Sequence, residues 1–439
     1  MATVFFISAL CIQAGFTAYC IITKSNQSRL RSYLRIGALA AFGAAVLLAA
    51  VEWSWRWYAL AALLLIWAAL GALTLLRTRR TMPAAQDRTS TKRVLLRGAG
   101  GLLLVGTALA PAAVFPPYEL IETTGEHTVA TALYTYVDQN RVETYSDSGE
   151  QRKLTVMFWY PQDTGADDLH SYPLIVFSHG GLSTKTSNES LYHELASHGY
   201  VVGSIDHTYH AFAATDVDGN TTWIDSGYMQ ETNAENARLD RAQSYAYYQK
   251  WMAIRAGDIN FVINTVLDQA QEDGSERMYR RIDPSKIGVM GHSLGGAAAL
   301  AVGRMRGDLG AVIALESPFM YDIVGVEDGE FVFTAAPYPL PVLNVYSDSS
   351  WSHLSEWPQY AANHAMLTNP PADAFNVHIG GVGHLALTDF ALTSPFLTRI
   401  LDGVPSTTNG RVALSRINKL VVEFFDCYLK GEELQSLRR

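Results

Sequence analysis

The residues of this chain best suited to do chemistry are Gly291-His292-Ser293-Leu294-Gly295. A serine hydroxyl is a weak nucleophile until a base takes its proton and an acid holds that base in place. Residues 286–290, largely apolar, predict a short buried strand, and the small residues 296–304 predict a helix. Strand, G-x-S-x-G and helix in that order make a nucleophile elbow. Its glycines admit a sharp turn without Cβ clashes, so a strained Ser293 presents its hydroxyl at the sheet edge.

A base and an acid are available downstream. His384 ends Gly380-Gly381-Val382-Gly383-His384, just past the last expected strand, where a loop brings an imidazole to the elbow. His378 lies inside that strand and reads as structural, and His292 is expected to pack beneath the nucleophile. Two carboxylates, Glu316 and Asp348, each follow a strand and lie between Ser293 and His384 in nucleophile, acid, base order. Either can orient the imidazole, and residue type alone does not rank them. An oxyanion hole needs closely approaching backbone N–H groups, which the glycine pair of Ser178-His179-Gly180-Gly181-Leu182 permits. The N–H of Leu294, directly after the nucleophile, is the other donor. Asp206, His207 and His210 form an incomplete ligand set and read as a hydrogen-bonded pocket wall. The chemistry calls for no metal and no organic cofactor.

The elements that must position these groups alternate. Strands are expected at 154–160, 173–178, 200–205, 287–290, 311–315, 341–346 and 375–379, and helices at 187–197, 234–270, near Glu356 and at 413–430. Such alternation implies a mostly parallel sheet with helices on both faces and chemistry at the carboxyl ends of its strands. The aromatic insertion 209–249, with Phe212, Trp223, Tyr228, Tyr245, Tyr247 and Tyr248, is expected to roof the pocket. Arg255 and Asp258 are expected to pair on the helix that follows.

The first 116 residues differ in kind. They hold four apolar stretches, 2–22, 36–51, 58–76 and 94–114, each near the length of a bilayer crossing. They also carry 12 of the 33 basic residues but only 2 of the 42 acidic ones. The basic residues cluster at Lys24, Arg29, Arg31 and Arg35, and again at Arg77, Arg79, Arg80, Arg88, Lys92, Arg93 and Arg97. By the positive-inside rule both clusters face the cytoplasm, which puts the rest of the chain outside a bacterial cell membrane. Trp53, Trp55, Trp57 and Tyr58 fit the outer interface. Residues 107–113 resemble a signal-peptidase site. Three cysteines are too few for a disulfide framework, and the acidic remainder excludes a nucleic-acid partner. The expected organisation is a membrane region, 1–116, and an α/β catalytic domain, 117–439.

Several segments together resemble plasma-type platelet-activating-factor acetylhydrolase and its bacterial relatives: Phe158-Trp159-Tyr160-Pro161, Phe177-Ser178-His179-Gly180-Gly181, Glu194 to Val202, the elbow, and Ala314-Leu315-Glu316. The likeness covers about residues 127–430 and implies an α/β-hydrolase fold and a carboxylic-ester hydrolase acting on lipid or short acyl esters. It implies an oxyanion hole made by the Gly181 and Leu294 N–H groups. It points to Glu316 as the acid, although the family's usual residue there is Asp, a departure that leaves room for Asp348. A serine peptidase or amidase could use the same groups, and a silent hydrolase-like binding domain is the third class.

Overall fold

The computed structural model describes residues 2–80, 89–162, 171–272 and 274–437. The chain forms two compact units, Met1–Pro117 and Tyr118–Arg439.

The first unit holds helices α1 (Ala2–Ile22), α2 (Ser28–Leu47), α3 (Tyr58–Arg80) and α4 (Thr91–Val114). All four are long and apolar enough to cross a membrane. The second is displaced from the expected 36–51. Left-handed backbone at Lys24 (φ 47°) and Gln27 (φ 49°) breaks the chain early, so α2 starts at Ser28 and takes Arg29, Arg31 and Arg35 onto the helix. Lys92, Arg93 and Arg97 likewise sit on α4, and residues 107–113 form its last turns. Arg88 lies outside the described residues. The start of α4 meets the α1–α2 turn, where Arg97 Nη1 donates to Asn26 Oδ1 at 2.7 Å and the Thr89 N–H to the Lys24 carbonyl at 3.4 Å. At the other end Phe5, Phe42 and Trp57 pack ring against ring, with centroids 5.7 to 6.1 Å apart, while Trp53, Trp55 and Tyr58 are exposed.

The second unit is built on one eight-stranded sheet. Its strands are β1 (Val129–Val142), β2 (Gln151–Pro161), β3 (Tyr172–Ser178), β4 (Val201–Asp206), β5 (Ile282–His292), β6 (Leu309–Leu315), β7 (Val342–Ser347) and β8 (Ala374–Ile379). Their order across the sheet is β1-β2-β4-β3-β5-β6-β7-β8. β2 runs antiparallel to β1 and β4, and the other neighbours are parallel. This is the strand order of the α/β-hydrolase fold. β3 is buried along its whole length, with Leu174 and Val176 in the core on one face and Ile175 and Phe177 in the core on the other. Being covered on both sides, it must be continuously apolar. Helices α7 (Arg241–Gln271) and α8 (Leu294–Met305) cover the first face, and α5 (Glu189–Ser197) and the helix Gly410–Phe425 cover the second.

Two departures from the sequence reading have local causes. β1 was not foreseen: it is a half-exposed edge strand with polar residues scattered through it, so its period-two pattern is weak. The helix expected at 234–270 starts later, as α7 at Arg241, and a separate helix α6 (Ser226–Ala234) precedes it. Extended backbone at Glu235 ends α6, and Asp240 caps α7, its carboxylate accepting the Gln243 N–H at 2.9 Å.

The tightest packing in the unit is at the turn between β5 and α8. A Cβ on Gly295 would overlap the Ser178 carbonyl, and one on Gly291 would overlap the backbone of Gly295. These are backbone contacts, which relax poorly. Gly295→Ala should therefore destabilise the protein by at least about 1–3 kcal/mol, the usual range for overpacking. Gly307→Ala, which meets nothing within 4 Å, should be near neutral. Thermal denaturation of the two variants checks this; equal melting temperatures would refute the close-approach argument.

Candidate active site

Ser293 sits between β5 and α8 with φ 55° and ψ −126°, a conformation that L-residues rarely adopt. Its N–H donates to the Leu315 carbonyl at 2.8 Å, which fixes the turn against β6. One strand on, Glu316 also has positive φ (50°), with its N–H on the Val345 carbonyl at 2.6 Å. That backbone turns its carboxylate toward the loop after β8. There His384 Nδ1 lies 3.0 Å from Glu316 Oε2. The Ser347 hydroxyl contacts both carboxylate oxygens, at 2.7 and 2.6 Å. Burial on its own would raise the Glu316 pKa, but the bond and charge of His384 and the Ser347 hydroxyl outweigh it and hold the group at about 2. For His384 burial favours the neutral form, yet Glu316 wins and the imidazole is pushed above its ordinary value. With Nδ1 engaged by the carboxylate, Nε2 is the nitrogen left to accept a proton. Ser293, Leu294, Gly181, Glu316 and His384 all line one cavity of about 520 Å³.

Asp348 goes elsewhere. Its Oδ1 is 2.7 Å from His378 Nε2 and its Oδ2 accepts the Gly381 N–H at 2.8 Å, with Trp351 stacked on the His378 ring. This pair anchors the loop that carries His384. Asp402 braces the same loop by accepting the Leu385 N–H at 2.6 Å. His292 is buried beside the site, its Nε2 3.1 Å from the His384 carbonyl oxygen.

The segment after β3 is held from behind. Arg255 Nη1 donates to the His179 carbonyl at 2.8 Å and Nη2 to that of Gly180 at 3.4 Å. The Tyr228 hydroxyl donates to the Gly181 carbonyl at 2.8 Å. These contacts were not read from the sequence, because Arg255 and Tyr228 are remote from residues 179–181 along the chain. The expected pair of Arg255 with Asp258 is replaced: Asp258 binds Arg152 and Arg141, and Arg255 Nε goes to His210 Nδ1 at 3.0 Å. Asp206, His207 and His210 also part company. Asp206 takes Lys185 Nζ at 2.6 Å, while His207 bridges Ser178 Oγ and Asp258 Oδ2, at 2.8 Å to each.

Only part of the aromatic insertion reaches the cavity. Tyr228, Tyr248 and Trp251 line it. Phe212 and Trp223 pack edge to face on an exposed hairpin, and Tyr245 and Tyr247 pack against the core. Tyr247 stacks on Trp251, ring centroids 5.6 Å apart, and Trp251 stands between it and Tyr228.

Residues 160–436 match the family model described as platelet-activating factor acetylhydrolase, isoform II. A platelet-activating factor acetylhydrolase of Cavia porcellus is 26% identical over 273 residues, which are 59% of this chain and 58% of that protein. A cutinase of Thermobifida alba is 29% identical over 157 residues, 36% of this chain and 37% of that one. The chain thus spans under two thirds of the length of these curated relatives. Among solved structures, a ferulic acid esterase from Streptomyces cinnamoneus superposes with a TM-score of 0.55 at 23% identity, covering 73% of this chain and 96% of its own. That likeness carries the fold.

The geometry makes His384 dependent on Glu316 and not on Asp348. In Glu316→Gln, only the charge of Asp402 still opposes burial at the imidazole, so NMR titration of His384 should give a lower pKa than in the wild type. Asp348→Asn should leave it in place. The reverse ranking would show that the carboxylate governing His384 is the other one.

Proposed function

The chain belongs to the platelet-activating factor acetylhydrolase, isoform II, family, and from that premise we propose that it is a membrane-anchored serine hydrolase that cleaves carboxylic esters. The observation that carries the reading is the hydrogen bond of His384 to Glu316 on the wall of the cavity that also holds the strained Ser293.

Ser293 Oγ attacks the ester carbonyl carbon as its proton passes to His384 Nε2. The carbonyl oxygen becomes an oxyanion and accepts the N–H groups of Gly181 and Leu294. Collapse breaks the bond to the alcohol oxygen, which takes the proton from His384 and leaves an acyl-serine. Water then attacks the acyl carbon, gives a proton to His384, and the acid departs as Ser293 Oγ recovers that proton. Glu316 stays ionised throughout and stabilises the imidazolium. The cavity is of a size for a small ligand, and its aromatic wall of Tyr228, Tyr248, Trp251, Trp357 and Tyr360 suits the apolar part of a lipid or short acyl ester.

The four apolar helices anchor the enzyme in a bilayer, with both basic ends in the cytoplasm and the hydrolase unit on the extracytoplasmic side. The shared placement of Lys24, Asn26, Thr89 and Arg97 at one end of the helical unit supports that orientation.

Ser293→Ala should lower turnover of an activated ester by about 10⁴-fold or more and abolish fluorophosphonate labelling, with the melting temperature retained. Assay on matched ester and amide substrates shows which bond is cleaved, and residual activity near wild type would remove Ser293 from the reaction. A reporter fused at the C-terminus should behave as exported, and one in the 81–92 loop as cytoplasmic. A cytoplasmic C-terminal reporter would overturn the orientation.

A further inference from the structure

Behind residues 178–182 lies a cluster of buried charge that the proposed reaction does not use. Arg152 grips Asp258 through Nε and Nη2, at 3.0 and 2.6 Å, and reaches Glu143 through Nη1 at 2.6 Å. Arg255 differs from Arg152. It is completely buried, yet its hydrogen bonds go to neutral groups: His210 Nδ1, the carbonyls of His179 and Gly180, and the Tyr228 hydroxyl. A buried guanidinium aimed at backbone carbonyls is an expensive arrangement to fold, and its direction is informative.

In a trans peptide the carbonyl of one residue and the N–H of the next point to opposite sides. Donors on the carbonyls of His179, Gly180 and Gly181 therefore turn the N–H groups of Gly180, Gly181 and Leu182 the other way. Gly181 lines the cavity with Ser293. His179 Nδ1, at 2.6 Å, and the Ser183 N–H, at 3.4 Å, add two further donors on the Gly180 carbonyl, so the peptide that presents the Gly181 N–H is held three times. The two holding residues are joined. The His210 ring stacks on Tyr228 at 3.8 Å and 8° while its Nδ1 accepts from Arg255. Burial and the Arg255 charge keep His210 neutral, well below its ordinary pKa, so that nitrogen remains an acceptor.

We propose that Arg255 and Tyr228 are positioning residues of the oxyanion hole. They hold the carbonyls of residues 179–181, Arg255 from behind and Tyr228 from the cavity wall, so that the Gly181 N–H stays aimed at the oxygen of the tetrahedral intermediate. The Arg255 charge also polarises the peptides it binds, which strengthens their N–H groups as donors. The inference rests on the reading of Ser293 as nucleophile.

The test uses the full-length protein in detergent, with active sites counted by fluorophosphonate titration. Tyr228→Phe removes one hydroxyl, and Arg255→Lys keeps the charge but loses the fork. Per active site, kcat on p-nitrophenyl acetate should fall by about 10-fold in the first and about 10²-fold in the second, on the scale of a lost oxyanion donor. KM should stay within about twofold, since the contact matters only once the oxyanion forms. Inhibition by a trifluoromethyl ketone, which forms a tetrahedral oxyanion on serine, should weaken in step with kcat/KM. A purely structural role would lower the count of active sites and leave kcat per site unchanged, and that result overturns the proposal. If Arg255→Lys does not fold, Tyr228→Phe decides alone. Ser293→Ala is the separate control: activity surviving there refutes the nucleophile, whereas its loss beside unchanged Tyr228→Phe and Arg255→Lys refutes only the positioning role.

Discussion

The Ser178 carbonyl is the fixed point of this site. The backbone of the β5–α8 turn lies so close to it that neither Gly291 nor Gly295 has room for a side chain. One contact thus sets two positions: Ser178 leads into the segment that presents Gly181, and Gly295 lies two residues beyond Ser293. In the proposed reaction the attacking oxygen and the oxyanion donors would take their spacing from a backbone contact, with no flexible side chain between them. Two interior glycines each weaken the local structure by roughly 0.5–1 kcal/mol. The alanines that follow in α8, all buried against the core, restore helix propensity where the glycines have lowered it.

Ionisable groups fall into two sets on either side of that point. Glu316 is buried, but its partner His384 is about one-third exposed and opens on the cavity, so this pair can exchange protons with what enters. Arg152, Asp258, His207 and Arg255 are sealed. Asp258 is held ionised against its burial by Arg152 and His207, and His207 is held neutral, at about 3, chiefly by burial and the Arg255 charge. The proposed reaction requires the first set to change protonation; the second has every reason not to, because a fixed charge pattern keeps the segment after β3 in one conformation.

Much of this was legible in the sequence, for physical reasons. The elbow was visible because its glycines are demanded locally, and β3 because a strand covered on both faces must be apolar throughout. The mostly parallel sheet covered on both faces followed from the alternation of such strands with helices, and its α/β-hydrolase identity from the family resemblance. The half-exposed edge strand β1 was not visible, since its pattern is diluted by solvent-facing residues. Residue type did not choose between Glu316 and Asp348 for His384, and only the family resemblance pointed to Glu316: both follow strands, and what separates them is the left-handed φ at Glu316, which no residue type announces. Arg255 was seen but given the wrong partner, because sequence proximity favours Asp258 three residues on, whereas packing sends the guanidinium to carbonyls some 75 residues away in the chain. The helical unit shows the converse, with apolar stretches easy to find and their ends, set by turn conformation, shifted by several residues.

Ser178, His207 and Asp258 carry a further lesson. Hydroxyl to imidazole and imidazole to carboxylate both measure 2.8 Å, a proton-relay geometry as good as any in the molecule, and all three residues are inaccessible. The same three functional groups therefore occur twice in one chain, once as Ser293, His384 and Glu316 at the wall of a cavity and once as ballast inside the wall. Shape alone does not distinguish an engine from a rivet. Under the proposed reaction the difference is access to solvent, a serine lifted out by strained backbone, and N–H donors where negative charge would appear, so reactivity in this fold is a property of address as much as of chemistry.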